Sequence, residues 1–301
     1  MKRKSNPKIK KVKILTTVPD EVKRQAFIDK SRTYSSFSDR VKLAEELKKW
    51  AYDIPRHDGY LLCDSDQFIE TMNIVSSTLD IINASNIKSW KSKGKQYIKT
   101  GILDQSKLTI DSSFLKFALR KDIVATVSKY LGHIPILMSV MILYSRYDAD
   151  NLVGTQLYHC DYEDINNIKI FINATDVLSK QDGPLTLVSS EKSKQIRHLM
   201  LKKYKGSKVQ LTSKYEFEFI NDNVAAPMFG KRGSVVFADT CGCFHMGSRI
   251  APDKPDRIMV VLQYISPAAI NIDTSYDKRP FAKLASKDME LYKRYVLGED
   301  I

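Results

Sequence analysis

The sequence predicts a mainly β fold with flanking helices, and three observations carry that reading. From Ile136 onward, short apolar runs rich in β-branched and aromatic residues alternate with turn signals, as in a sandwich or barrel. Between about residues 36 and 132 the apolar residues recur at helical spacing instead. A last helical stretch, near residues 286–298, follows the strands.

Residues 1–19 read as a basic flexible tail and residues 20–301 as a single domain. Seven Lys and Arg residues fall between Lys2 and Lys13, and no acid precedes Asp20. The tail has no aromatic residue interleaved for base stacking, so a solvated arm is preferred over nucleic-acid or anionic-membrane contact. In the helical buttress, Val41, Ala44, Leu47, Ala51 and Ile54 mark a first helix. Phe68, Met72, Val75, Leu79 and Ile82 mark a second, with Asp64 or Ser65 as its cap. Ile123, Val127 and Leu131 mark a third, and Gly132 stands where a helix stop belongs. The β core, about residues 136–267, holds the runs Ile136–Tyr144, Ile168–Ala174, Leu185–Val188, Ser234–Ala238 and Ile258–Ile265. Turn clusters at Asp182-Gly183-Pro184 and at Gly230-Lys231-Arg232-Gly233 divide them. The final helix, near Asp288–Leu297, is expected on the outside.

Composition limits the function classes. A chain of 301 residues, 43% hydrophobic and 28% charged, is long enough for a full core and is not a disordered sequence. It has no apolar run of the ~20 residues that cross a bilayer. Its N-terminus is too charged for a secretory signal, so a soluble cytoplasmic protein is expected. The four cysteines, Cys63, Cys160, Cys241 and Cys243, are too few for a disulfide framework. The net charge is +13, and the excess on the chain beyond the tail could equally attract an anionic substrate.

The chemistry concentrates in two places. In Tyr158-His159-Cys160-Asp161, His159 and Asp161 are two residues apart, and on an extended segment both point to one side and can share an ion. His245, just beyond the run Ser234–Ala238, is the best third ligand. Two histidines and one carboxylate on one face leave positions open, which is the facial triad of Fe(II) oxygenases. A lone His-x-Asp is also common as a solvated turn. His57, His133 and His198 lack such company and read as surface or core residues. A structural zinc site built from Cys160, Cys241, Cys243 and His245 is a competing reading, although Gly242 suggests a turn and Asp161 has no place in it. A barrel-fold binding protein without turnover is another. Arg257 opens the most apolar run, and pointing inward it could pair with a dicarboxylate. Otherwise it is a rim arginine paired with Asp253 or Asp256, and Arg249 is its rival for the role.

From His159 to Pro267 the chain resembles the phytanoyl-CoA dioxygenase family of 2-oxoglutarate oxygenases. The resemblance rests on His159-Cys160-Asp161, on Lys169-Ile170-Phe171-Ile172 leading to Asp176-Val177, and on Asp182-Gly183-Pro184-Leu185. It continues through Gly233-Ser234-Val235-Val236-Phe237-Ala238-Asp239-Thr240, His245 and Arg257. Weaker similarity covers Phe114–Leu119 and Tyr130-Leu131-Gly132. The resemblance implies a double-stranded β-helix (jelly-roll, cupin-like) with iron at one mouth. It implies that Arg257 grips the distal carboxylate of 2-oxoglutarate, with Lys169 and Phe171 lining the cosubstrate pocket. Hydroxylation of a small molecule would consume 2-oxoglutarate and O2 and release succinate and CO2. Asp161 fills a position that related halogenases leave open for chloride. The segment Val188–Ser193 replaces a Pro-Gly-Ser-His turn common in the family, so phytanoyl-CoA is not carried over as substrate. Arg249 and the segment Ser189–Arg197 are expected at the substrate entrance.

Overall fold

The computed structural model describes residues 20–85, 87, 97–148, 152–204, 220, 223–270 and 279–299. The basic tail expected over residues 1–19 lies outside them. Among the described residues, nine strands form two antiparallel sheets. They are β1 (Tyr60–Cys63), β2 (Ile98–Lys99), β3 (Ile136–Ser145), β4 (Ile168–Asn173), β5 (Thr186–Val188), β6 (Ala225–Pro227), β7 (Val235–Ala238), β8 (His245–Met246) and β9 (Arg257–Ile265). The larger sheet runs in the order β1-β7-β4-β9-β3-β2 and the smaller in the order β6-β5-β8. A single bridge between His159 and His245 extends the smaller sheet beyond β8. From β3 onward the chain therefore passes from the large sheet to the small one and back, in the manner of a double-stranded β-helix. The two sheets stay separate and do not close into a barrel.

The strand period of two decides what each face holds. On β9, Ile258, Val260, Leu262 and Tyr264 join Ile168, Ile170 and Ile172 of β4 in the main core beneath the helices. The alternate residues Met259 and Val261 join Phe171, Val236 and Ala238 in a second core facing the small sheet, where Leu187 and Cys243 meet them. Register couples Lys169 to Gln263, Phe171 to Val261 and Asn173 to Met259. Arg257, Lys169 and Phe171 therefore share the inward face, and a one-residue slip would send all three into the helices.

The helices are α1 (Asp20–Arg32), α2 (Phe37–Leu47), α3 (Thr71–Ala84), α4 (Ser113–Ala118), α5 (Lys121–Leu131), α6 (Ser190–Tyr204) and α7 (Leu291–Leu297). Helix α5 ends at Gly132 in the left-handed conformation (φ 81°), where the stop was expected. Four expectations need correction. The first helix gives way to a 3-10 turn at Lys48 and is over by Ala51, so Ala51 and Ile54 are not helical. The second begins at Thr71, well past Asp64 and Ser65, and Glu70 at its start makes no side-chain capping bond. Strand β1 lies inside the stretch read as helical and forms an edge of the large sheet against β7. The last helix does more than pack outside: Tyr295, Val296 and Leu297 are buried in the main core.

Candidate metal centre

The ligand-bearing segment approaches β8 as an extended strand. The His159 N–H donates to the His245 carbonyl at 3.0 Å, and the His245 N–H donates back to the His159 carbonyl at 2.9 Å. The Asp161 N–H donates to the Thr240 carbonyl at 2.8 Å, which ties the segment to the loop leading into β8. One ligand atom from each of His159, Asp161 and His245 lies within 4.8 Å of the others, close enough to share an ion. The Asp161 Oδ1 is 4.0 Å from His159 Nε2 and 3.9 Å from His245 Nε2.

The rings are held in the tautomer that metal binding requires. His159 Nδ1 lies 2.9 Å from the Leu157 carbonyl, and His245 Nδ1 lies 3.1 Å from the Cys243 carbonyl. A carbonyl only accepts, so each Nδ1 donates to it and each Nε2 is the nitrogen turned toward Asp161. Burial, then the neighbouring His159, pushes His245 down to about 3, which keeps that ring neutral at ordinary pH. Burial by itself would raise Asp161. The ammonium of Lys169, with help from both histidines, instead holds it well below the usual carboxylate range. Lys169 Nζ is 2.6 Å from Asp161 Oδ2. That contact takes one carboxylate oxygen and leaves the other facing the two rings.

Sequence reasoning missed what holds the loop before His245. Asp239 is fully buried, and its Oδ1 accepts from the Gly242 N–H at 2.9 Å and the Asn167 N–H at 3.2 Å. Its Oδ2 accepts from the Tyr130 hydroxyl at 3.0 Å and from the Asn166 amide. Asn167 Oδ1 in turn accepts from Thr240 Oγ1 at 2.9 Å and the Cys241 N–H at 3.2 Å. A Cβ on Gly242 would run into the Asp239 carboxylate, so glycine is needed there. The only hint in the sequence was an acid and a glycine close to a candidate ligand. Their partners are too remote in the chain for local pattern to reveal.

Arg257 lies inward, 4% exposed, and has no carboxylate beside it among the described residues. Asp256 accepts from the Tyr144 hydroxyl instead, and Asp253 is not among its partners. Arg257 Nη2 donates to Ser248 Oγ at 2.9 Å, Nη1 donates to the Gly183 carbonyl, and the buried Nε has no partner. Burial pushes this guanidinium down to about 10. Ser248 is the one non-glycine residue with positive φ (67°) among those described, a conformation that costs about 1–3 kcal/mol. It aims its hydroxyl at Arg257 and at Ser145 Oγ, 3.0 Å away. A buried cation without an anion, with an orphaned donor, fits a carboxylate ligand.

Arg249 stands apart from this cluster. Its Nε donates to the Gln156 carbonyl at 2.8 Å and its guanidinium lies 5.7 Å from the Tyr158 ring centroid. With Tyr147, Leu152 and Lys180 it lines an open cavity of 330 Å³. The segment from Ser189 begins helix α6, where Ser193 Oγ accepts from the Phe244 N–H at 2.9 Å. All four thiols are buried and free, and none joins the three-residue metal group among the described residues. Cys160 Sγ meets Arg197 at 3.7 Å and Cys243 Sγ meets the Asp58 carbonyl at 3.4 Å, and among the described residues no three ligand atoms including a thiol come together as a zinc site would require. His57 and His198 are exposed, and His133 is buried against Phe27 and Phe37.

No family model matches the chain and no curated protein sequence matches it. Among solved structures it is similar to the non-heme alpha-ketoglutarate-dependent epimerase SnoN from nogalamycin biosynthesis. That pair is 14% identical over 75% of this chain and 83% of the other, with a TM-score of 0.49. HygX from Streptomyces hygroscopicus, solved with nickel and 2-oxoglutarate bound, is 13% identical over 70% and 84%, with a TM-score of 0.48. EctD from S. alaskensis with bound Fe is 14% identical over 70% and 73%, with a TM-score of 0.45. At these identities and scores the likeness carries no argument about this chain, whose chemistry rests on its own side chains. Among the described residues no helix is long and apolar enough to cross a membrane.

Proposed function

We propose that this protein is a non-haem Fe(II) and 2-oxoglutarate-dependent oxygenase that hydroxylates a small-molecule substrate, related to the phytanoyl-CoA dioxygenase group. The observation that carries the reading is a pairing of two features. A His-Asp-His cluster, buried at His245 and partly buried at His159 and Asp161, occurs together with Arg257, a buried guanidinium that has no acidic partner among the described residues. The first suits a divalent ion bound through two imidazoles and one carboxylate oxygen. The second suits the far carboxylate of a dicarboxylic acid.

Each residue then has a task. His159, Asp161 and His245 hold the ion. Lys169 fixes the Asp161 carboxylate by its 2.6 Å contact, and so serves the metal side of the cosubstrate pocket. Phe171, on the same inward face, closes that pocket against water. Arg257 orients 2-oxoglutarate through its fork, with Ser248 and the Gly183 carbonyl holding the fork in place. Arg249 and its open cavity take the substrate side. When bound, Fe(II) and 2-oxoglutarate together supply the oxidative decarboxylation that uses O2, releases succinate and CO2 and oxidises the substrate.

The test is succinate formation from 2-oxoglutarate with Fe(II), with and without a metabolite extract. Slow turnover alone and faster turnover with extract are expected. Arg249→Ala should keep the slow turnover and lose the stimulation. A chain that loads iron but never yields succinate would support the non-catalytic binding protein instead.

A further inference from the structure

Helices α1 and α6 enclose a second cavity, 160 Å³ in volume, lined by Asp20, Lys23, Arg24, Asn166, Lys194 and Arg197 among others. Four of these six side chains are cationic and one is acidic. The volume is below the roughly 300–1,000 Å³ of ordinary ligand pockets, so it suits a small anion or one anionic group of a larger molecule.

Arg197 forms the inner wall. Its side chain is 11% exposed, and its Nη1 donates to the Gly242 carbonyl at 2.8 Å. Nη2 stands 3.9 Å from the Asp20 carboxylate, beyond hydrogen-bond length, and Asp20 is 37% exposed and so weakly coupled. The Nε is buried without a partner. Lys23 points at the same space. Burial, then repulsion from Arg197, lowers its affinity for its proton, and the nearby Asp20 offsets this only in part.

The cavity is distinct from the metal centre. Cys160 lies between His159 and Asp161 on an extended segment, so its side chain faces the other way. It packs with Val188, Ile196 and Phe244, and Arg197 touches its sulfur on that side. The cavity therefore lies behind the ligand segment, while Arg257 and Phe171 lie in front of it.

We propose that this cavity binds a small oxyanion of the phosphate class, either inorganic phosphate or the phosphoryl group of a phosphomonoester. Four cations around one acid match a dianion better than a single carboxylate, and the Arg197 fork matches two phosphoryl oxygens. A bound anion would bridge α1 and α6 and brace the Gly242 loop that leads into His245.

The test uses the full chain, free of metal, at constant ionic strength. Calorimetric titrations with inorganic phosphate and with phenyl phosphate are compared with chloride. Saturable binding of one phosphate or phosphoryl group per chain is expected. It should weaken at least tenfold in the Lys23→Met, Lys194→Met double variant, and it should survive Arg257→Gln, which excludes binding at the cosubstrate pocket. The melting temperature without phosphate should be no lower in the double variant than in the wild type, since among the described residues neither lysine has a direct hydrogen-bond partner to lose and Lys23 loses its repulsion from Arg197. Tighter binding of phenyl phosphate would identify the phosphomonoester as the ligand form, and tighter binding of the inorganic ion would identify free phosphate. Unsaturable binding would overturn the proposal, as would equal affinity in the double variant or loss of binding with Arg257→Gln.

Discussion

Among the described residues Arg257 is buried with an orphaned Nε and no acid in reach, and this makes it the residue on which cosubstrate affinity should turn. Arg257→Gln is expected to weaken 2-oxoglutarate binding by on the order of 2–5 kcal/mol, because a buried carboxylate loses its charged partner. Metal content should not change, since Arg257 touches none of the three ligands. Equilibrium dialysis of both ligands checks this, and the same defect in Arg249→Ala but not in Arg257→Gln would reverse the assignment. Asp239 is a second test at this scale. Its carboxylate accepts from four donors, and Asp239→Asn would turn an amide N–H₂ toward some of them. Each donor left unsatisfied costs about 1–3 kcal/mol. The variant should show a lower urea midpoint and weaker metal binding, because the loop it braces ends at His245. Unchanged stability would show that the network tolerates the amide. The pairing of His159 and Asp161 was legible from strand period, His245 from its place just beyond the run Ser234–Ala238, and Arg257 from its place at the head of the most apolar run. The Lys169–Asp161 pair and the Tyr130–Asp239 bond were not, because they join segments that only the fold brings together. Ser248 was missed for another reason: nothing about a serine announces positive φ.

At the scale of elements, the strands with long β-branched runs were legible and the short ones were not. β9 is buried at every position and β4 at all but Lys169, and their largely apolar runs, broken by Lys169 and Gln263, are legible as strands. β1 has only four residues, and its strand character comes from pairing with β7 rather than from its own pattern. The missed start of α3 has a similar cause. Phe68 is in the core without being helical, so burial alone copied the helical period. The junction of α1, α2 and the end of α5 yields a pH prediction. His133 packs on Phe27 and Phe37, its Nε2 has no partner, and burial, then Arg40, pushes it down to about 3. The unfolded chain takes up a proton near pH 6.5 and the folded chain does not until about 3. This contribution to stability is therefore complete above about 6.5 and is lost as pH falls through that window, by on the order of a few kcal/mol. Urea unfolding at pH 7.5 and pH 5 should show the loss in the wild type and a smaller one in His133→Phe. An equal loss in both would place the acid sensitivity elsewhere.

At the scale of the molecule, two sheets present their inner faces to each other and bring residues from four strand segments to one mouth. The ligands come from the segment at His159 and from β8, and the residues across from them come from β4 and β9. The central claim is that this mouth holds one Fe(II) and one 2-oxoglutarate together. Its most direct test is an anaerobic titration of the metal-free chain with Fe(II) and then 2-oxoglutarate, read as the visible charge-transfer band of the chelated keto acid. The account expects one iron per chain and a band that saturates with 2-oxoglutarate. The band should be absent in His159→Ala and His245→Ala and should require far more 2-oxoglutarate in Arg257→Gln. Stoichiometric metal binding that survives His159→Ala and Asp161→Ala but vanishes in Cys241→Ser, Cys243→Ser, with no band in the wild type, would contradict it.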